Sequence, residues 1–192
     1  MGKLQEINNQ AALSASGALS KLIGRQVKMN ITMADIRNIG ELSPIIAPEE
    51  IVAGVYLPVT GEIAGAALLI FPKESAFNLS DLLVRRELGT TRKLTGLDES
   101  ALKELGNIVC GSYLTVLSNA LQVKTIGQVP SFSFDMFGAI VSQIITAFAQ
   151  KSEKALVVEI EIIFELKALK GYFLLLLELP QFNAILRSLD SG

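Results

Sequence analysis

From Leu4 to about Gly24 the apolar positions Leu4, Ile7, Ala11, Ala15, Ala18, Leu19 and Leu22 recur mostly three or four residues apart, which predicts an amphipathic helix. Two apolar, partly β-branched runs follow, Ile51 to Pro58 and Ile63 to Phe71, joined by Val59-Thr-Gly-Glu62, and this spacing predicts an antiparallel hairpin. Pro72 then fits the start of a short helix reaching Val84, because proline presets φ and lacks only a donor that the first turn leaves free. Asp98 has the chemistry of an N-cap, with Leu97 placed to staple onto Leu102, so a long helix is expected from about Glu99 to Leu121. Phe134 to Ala149 reads as another helix, striped by Phe134, Phe137, Ile140, Ile144 and Phe148. Ala155 to Phe164 alternates Glu159 and Glu161 with Val158, Ile160 and Ile162, as a strand with one wet face does. A turn over Glu165 to Gly171 leads to a partner strand from Tyr172 to Leu179, in which Leu174 to Leu177 suits a central strand buried on both faces. Pro180 then opens a terminal helix, as Pro72 did.

The order helix, strands, Pro-started helix thus occurs twice. Sliding the chain by 98 positions superposes Leu4 on Leu102, Glu6 on Glu104, Asn9 on Asn107, Ser14 on Ser112, Leu19 on Leu117 and Ser20 on Ser118. The second half carries about ten extra residues, which the 134–150 stretch absorbs, and Arg85 to Thr95 has the charged, Gly-containing make-up of a linker. Each half offers only a hairpin, an additional strand and a helix or two. The expectation is therefore one intertwined domain over 1–192 with pseudo-two-fold symmetry between 1–95 and 96–192.

Composition narrows the chemistry. With 17 Lys+Arg against 19 Asp+Glu the formal charge is −2, which offers no field for nucleic acid. Half of the residues are hydrophobic and 19% are charged, ample for a buried core. The absence of histidine excludes Ser-His-Asp and Cys-His catalysis, His general bases and His-ligated zinc. The single cysteine, Cys110, sits among small and apolar neighbours and reads as a buried hydrophobe. No signal pattern or membrane-length apolar run is evident, so a cytoplasmic protein is expected. Lys73, Arg85, Arg86, Arg92 and Lys93 form a mild basic region that reads as a solvated linker.

What remains is a repeated Glu-x-x-Asn. Glu6/Asn9 and Glu104/Asn107 are each three residues apart, so on a helix their side chains share one face and present a carboxylate beside an amide. With 14 Glu and 8 Asn, chance supplies about 0.6 such pairs, so one means nothing, while two at equivalent repeat positions mean more. Asn is a poor helix-interior residue, and Asn107 beside Gly106 is a local cost that implies a task, although such a pair also fits the solvated stripe of any amphipathic helix.

Ser100-x-x-x-Glu104-x-x-Asn107, followed after 22 residues by Pro130, resembles the phosphatase motif of the CheC, FliY and CheX family, and CheC most, because two motif copies occur with no appended switch-protein domain. Leu102-Lys-Glu-Leu-Gly-Asn-Ile108, Leu4-Gln-Glu-Ile7 and Ala155-Leu-Val-Val-Glu-Ile-Glu161 resemble family segments as well. The resemblance implies an α/β sandwich with the two motif helices side by side on a largely antiparallel sheet. It also implies hydrolysis of the aspartyl phosphate of the chemotaxis regulator CheY. Asn107 would orient the attacking water, Glu104 would pair with a lysine of the regulator, and Ser100 and Pro130 would support the site. No cofactor of its own is implied, since Mg²⁺ belongs to the regulator. The first copy departs from the motif: Gly2 stands four residues before Glu6, and Thr32 stands where Pro130 would correspond, so Glu6/Asn9 reads as a second, weaker site. Two other readings stay open, a non-catalytic adaptor using the same helices and a dock for the deamidase CheD on any exposed part of the 134–149 stripe.

Overall fold

A computed structural model describes residues 2–42, 45–148 and 154–178. Helix α1 (Lys3–Ile23) leads into strand β1 (Lys28–Asn38), a short 3-10 turn (Ile39–Glu41), and the hairpin β2 (Ile51–Gly61) and β3 (Gly65–Pro72). Helix α2 (Lys73–Leu83), helix α3 (Gly96–Leu121) and the short strands β4 (Thr125–Gly127) and β5 (Ser131–Met136) follow. Helix α4 (Phe137–Phe148) precedes the last hairpin, β6 (Lys154–Phe164) and β7 (Lys167–Leu177). The seven strands form one sheet in the order β1-β6-β7-β3-β2, closed at the far edge by β4 and β5, which both pair with β2. Every pairing is antiparallel.

The alternation of side chains along a strand builds two cores. In β3, Ala67, Leu69 and Phe71 face the core beneath α1, α2 and α3, while Ala66, Leu68 and Ile70 face the one beneath α4. In β7, Phe173, Leu175 and Leu177 divide from Leu174 and Leu176 in the same way, so the leucine run is a central strand buried on both faces, as expected. The hairpin at 51–71, the helix of the first 24 residues and the α/β class are as the patterns predict.

Several boundaries differ, each for a local reason. Asp98 is not the N-cap: α3 opens at Gly96 behind Thr95, and the Asp98 carboxylate reaches back to accept the Thr95 backbone N–H at 2.7 Å. The Leu97–Leu102 staple is absent, because Leu97 lies inside the helix and is 59% exposed while Leu102 is buried. The helix predicted for 134–149 starts only at Phe137, since residues 131–136 pair with β2 as β5, and Phe134 stacks on Phe77 of α2 with ring centroids 5.9 Å apart. The turn predicted over 165–171 shrinks to Glu165-Leu166, with Glu165 at φ 54°, and β7 begins at Lys167. β1, unassigned by pattern, has mostly half-buried positions and no clean alternation. The linker is not merely solvated: Asp81 accepts the backbone N–H groups of Gly89, Thr90 and Thr91, and Arg86 pairs with Asp98 at 2.6 Å. The helix expected from Pro180 lies outside the described residues.

Candidate functional site

The two helices that carry Glu-x-x-Asn pack against each other on one face of the sheet. Ile7, Ala11, Ala12, Ala15 and Leu19 of α1, and Leu102, Leu105, Val109, Cys110, Leu114 and Leu117 of α3, form their buried sides. Gly106 lets α3 settle onto β2: a Cβ there would fall 2.5 Å from Val55 Cγ1. Its counterpart after the 98-residue slide, Asn8, is buried, and the Tyr113 hydroxyl donates to Asn8 Oδ1 at 2.7 Å, tying α1 to α3. A buried polar residue within α1 is thus satisfied across the helix pair.

Both helices run antiparallel to the strand that follows them, and therefore to each other. The Ser16 and Ser20 hydroxyls accept the backbone N–H groups of Met29 and Val27, so contacts move down the helix as they move up β1. On α3, Ser118 bonds Thr125 while Gly106 sits over Val55, the register partner of Phe132, which gives the same sense.

With these sides buried, Ser100, Glu104 and Asn107 lie on the outer stripe of α3, and Glu6 and Asn9 on that of α1, all exposed. Glu6 accepts a bond from Gln10 Nε2 at 3.3 Å, and Ser100 Oγ donates to its own helix at the Gly96 carbonyl, 2.9 Å away. Among the described residues, Glu104, Asn107 and Asn9 have no side-chain hydrogen-bond partner and are open to a visitor. Pro130 lies between β4 and β5, where its missing N–H suits the break in the edge strand, and Thr32 at the corresponding place in β1 sits at a register shift between Ile31 and Met33.

The motif residues of α3 line a convex ridge. A cavity of about 620 Å³ is lined by Arg25, Arg85, Arg86, Phe164 and Glu165 at the far ends of α1 and α2, and holds no motif residue. Asn9 borders a groove of about 390 Å³ between α1 and Thr32 of β1. Of the stripe in the 134–149 stretch, Phe137, Ile140, Ile144 and Phe148 are buried in the core, while Phe134 is 37% exposed. Cys110 is buried and its thiol is pushed up to about 12 by burial, an inert group. Among the described residues no cluster of three metal-ligating side chains occurs, and no helix is long and apolar enough to cross a membrane.

The ridge is anchored at the N-terminal end of α3. Asp98 is buried, which by itself raises a carboxyl pKa, but bonds from Ser80, Thr95 and Arg86 outweigh that and hold it well below the usual carboxylate range. Sequence patterns missed this junction because Ser80 and Arg86 belong to other segments.

Residues 97–133, which contain Ser100, Glu104, Asn107 and Pro130, match the model of the CheC-like family. The chain is 29% identical over its full length to the CheY-P phosphatase CheC of Bacillus subtilis, covering 94% of that protein. In three dimensions it superposes on FliY of Thermotoga maritima with a TM-score of 0.79 at 21% identity, covering 97% of this chain and 93% of the other. It also superposes on CheX from a complex with CheY, beryllofluoride and magnesium of Borrelia burgdorferi, with a TM-score of 0.53 at 15% identity, covering 90% and 98%. The resemblance read from the motif therefore holds in both sequence and fold.

Proposed function

From a CheC-like chain with a FliY-like fold, we propose a protein phosphatase that hydrolyses the aspartyl phosphate of a CheY-type response regulator. The observation that carries this reading is the exposed, unpartnered Glu104/Asn107 pair on a convex helix. An enzyme for a small molecule encloses its substrate in a cleft, whereas a ridge suits a substrate already held in a partner's own pocket. The partner brings the acyl phosphate and its Mg²⁺, and this chain supplies position. Asn107 offers both an N–H donor and a carbonyl acceptor to a water lined up behind phosphorus. The water oxygen bonds to phosphorus as the phosphorus–carboxylate bond breaks; the aspartate leaves as carboxylate, and the water's proton passes to the released phosphate or to solvent. Glu104, one turn earlier, pairs with a cation of the partner and fixes the depth of insertion. Ser100 and Pro130 support the ridge, and Glu6/Asn9 form a second, weaker site.

We further read residues 1–192 as one domain of two repeated halves. Supporting this, exchanging β1, β2 and β3 with the β4–β5 edge, β6 and β7 leaves the strand order unchanged. The α1 C-cap Gly24 and the α3 C-cap Gln122, 98 residues apart, both adopt left-handed backbone, at φ 76° and 57°.

The test is phosphate release from acyl-phosphorylated CheY with Mg²⁺. Asn107→Ala is expected to lower the rate on the order of 10²-fold, Asn9→Ala less, and the double variant to abolish it. Binding of the phosphorylated regulator without accelerated release would replace this reading with that of an adaptor.

A further inference from the structure

Two leucines are out of place on this molecule. Leu97 is 59% and Leu13 is 76% exposed, although each sits in a long helix whose other face is filled with buried apolar side chains. Single exposed leucines are ordinary on a protein surface. Their position is what distinguishes these two.

Leu97 precedes Glu104 by seven residues and Asn107 by ten. At about 100° per residue the three side chains fall within roughly 80° of one another, and Leu97 lies about 10 Å along the axis from Glu104. It therefore belongs to the same outward stripe. Leu13 reaches the same place from the neighbouring helix. α1 and α3 run antiparallel and meet where Asn8 accepts the Tyr113 hydroxyl bond, so moving five residues on from Asn8 corresponds to moving back about five from Tyr113. Because helical side chains lean toward the N-terminus, this puts Leu13 within about a turn of the level of Asn107. Near Leu13 on α1, Ser14 and Gly17 are small and exposed. On the opposite flank the pattern is not repeated: the residue of α3 that corresponds to Leu13 is Gly111.

We propose that Leu97 and Leu13 are the apolar anchors that seat the receiver domain of a phosphorylated response regulator on the Glu104/Asn107 ridge. This rests on the phosphatase reading above and deepens it. A protein–protein footprint of ordinary size buries about 800 Å² on each side, so a partner that brings an acyl phosphate to Asn107 covers a patch wide enough to include both leucines. Polar groups set the register of such a contact, while burial of an aliphatic side chain near its centre supplies residence time. The arrangement also ranks the two motif copies. Asn107 has an anchor along its own helix and another from the neighbour, whereas Asn9 shares only Leu13, four residues further along α1.

The experiment measures the dissociation constant of the full chain for a CheY receiver loaded with beryllofluoride and Mg²⁺, alongside the kinetics of phosphate release. Leu97→Ser and Leu13→Ser are each expected to weaken binding roughly tenfold and to raise KM with kcat retained. Leu166→Ser, in the fully exposed β6–β7 turn, serves as the comparison and is expected to change nothing. Wild-type affinity in both leucine variants, with Asn107→Ala still lowering release, would overturn the anchors and leave the phosphatase reading intact. Equal weakening by Leu166→Ser would overturn them too, as would wild type that neither binds nor releases phosphate, which sinks both readings. Leucine-dependent binding with no release would sustain the docking surface and remove the catalysis.

Discussion

At the scale of single residues, Asn8 and Tyr113 show how one polar contact orients a functional face. Asn8 is among the few buried polar residues of the described chain segments, and its side-chain carbonyl is satisfied by a hydroxyl whose ring packs 4.7 Å from that of Phe173. With Asn8 held inward, Glu6 and Asn9 on either side of it turn outward. Removing the hydroxyl leaves a buried amide oxygen unpaired, so Tyr113→Phe is expected to cost about 1–3 kcal/mol in urea denaturation. Because the burden falls on α1, the same variant should depress release through Asn9 in an Asn107→Ala background. Undiminished stability would show that water replaces the hydroxyl. None of this was legible from the spacing of Asn8, because its partner lies 105 residues away.

At the scale of elements, α3 is set by its start and by its contact with the sheet. Gly106 was visible as a weakness in a helix; its reason is tertiary, a Val55 side chain too close for any Cβ. Gly106→Ala raises helix propensity by about 1 kcal/mol, yet it is expected to destabilise by about 1–3 kcal/mol in chemical denaturation, since overpacking wins. A stabilised variant would mean that α3 floats on the sheet. The start of α3 carries a pH signature. The Asp98 carboxyl is held below its unfolded value, so its contribution is complete above about pH 4 and is lost as the pH falls below that value. Asp81, lowered by its threonine contacts despite its burial, acts in the same direction. Asp98→Asn is expected to cost roughly 2 kcal/mol at pH 7 and to flatten the fall of stability between about pH 4 and 2, measured by denaturation at a series of pH values. An unchanged acid limb would assign acid lability elsewhere.

At the scale of the whole molecule, the middle of the sheet is the β3–β7 pairing, which joins strands about a hundred residues apart in the chain. β1 completes its pairing only with β6, from the opposite half. Neither half therefore closes a sheet or a core alone. A fragment of residues 1–95 is expected to be unfolded by circular dichroism and hydrogen exchange, and the full chain to unfold in one cooperative transition. A folded fragment would instead make the halves separable.

The local chemistry of the chain was sufficient for the α/β class, the long helices, both hairpins and the Glu-x-x-Asn pairs, because helical and strand periodicities and proline placement act within a few residues. The same short range explains the misplacements. Residues 134–136 read as the start of a helix, but β2 offers residues 131–136 an open edge, and backbone pairing with a distant strand outweighs local preference. Leu97 looked like a staple because Leu102 was near in sequence; burial of Leu102 in the core left it without a use inside the molecule. Only the tertiary structure decided which side chains of α1 and α3 face outward, that the two helices run antiparallel, and that Leu13 and Leu97 stay exposed. Those facts depend on how a sheet of seven strands brings together residues roughly a hundred positions apart, and no periodicity within one helix encodes them.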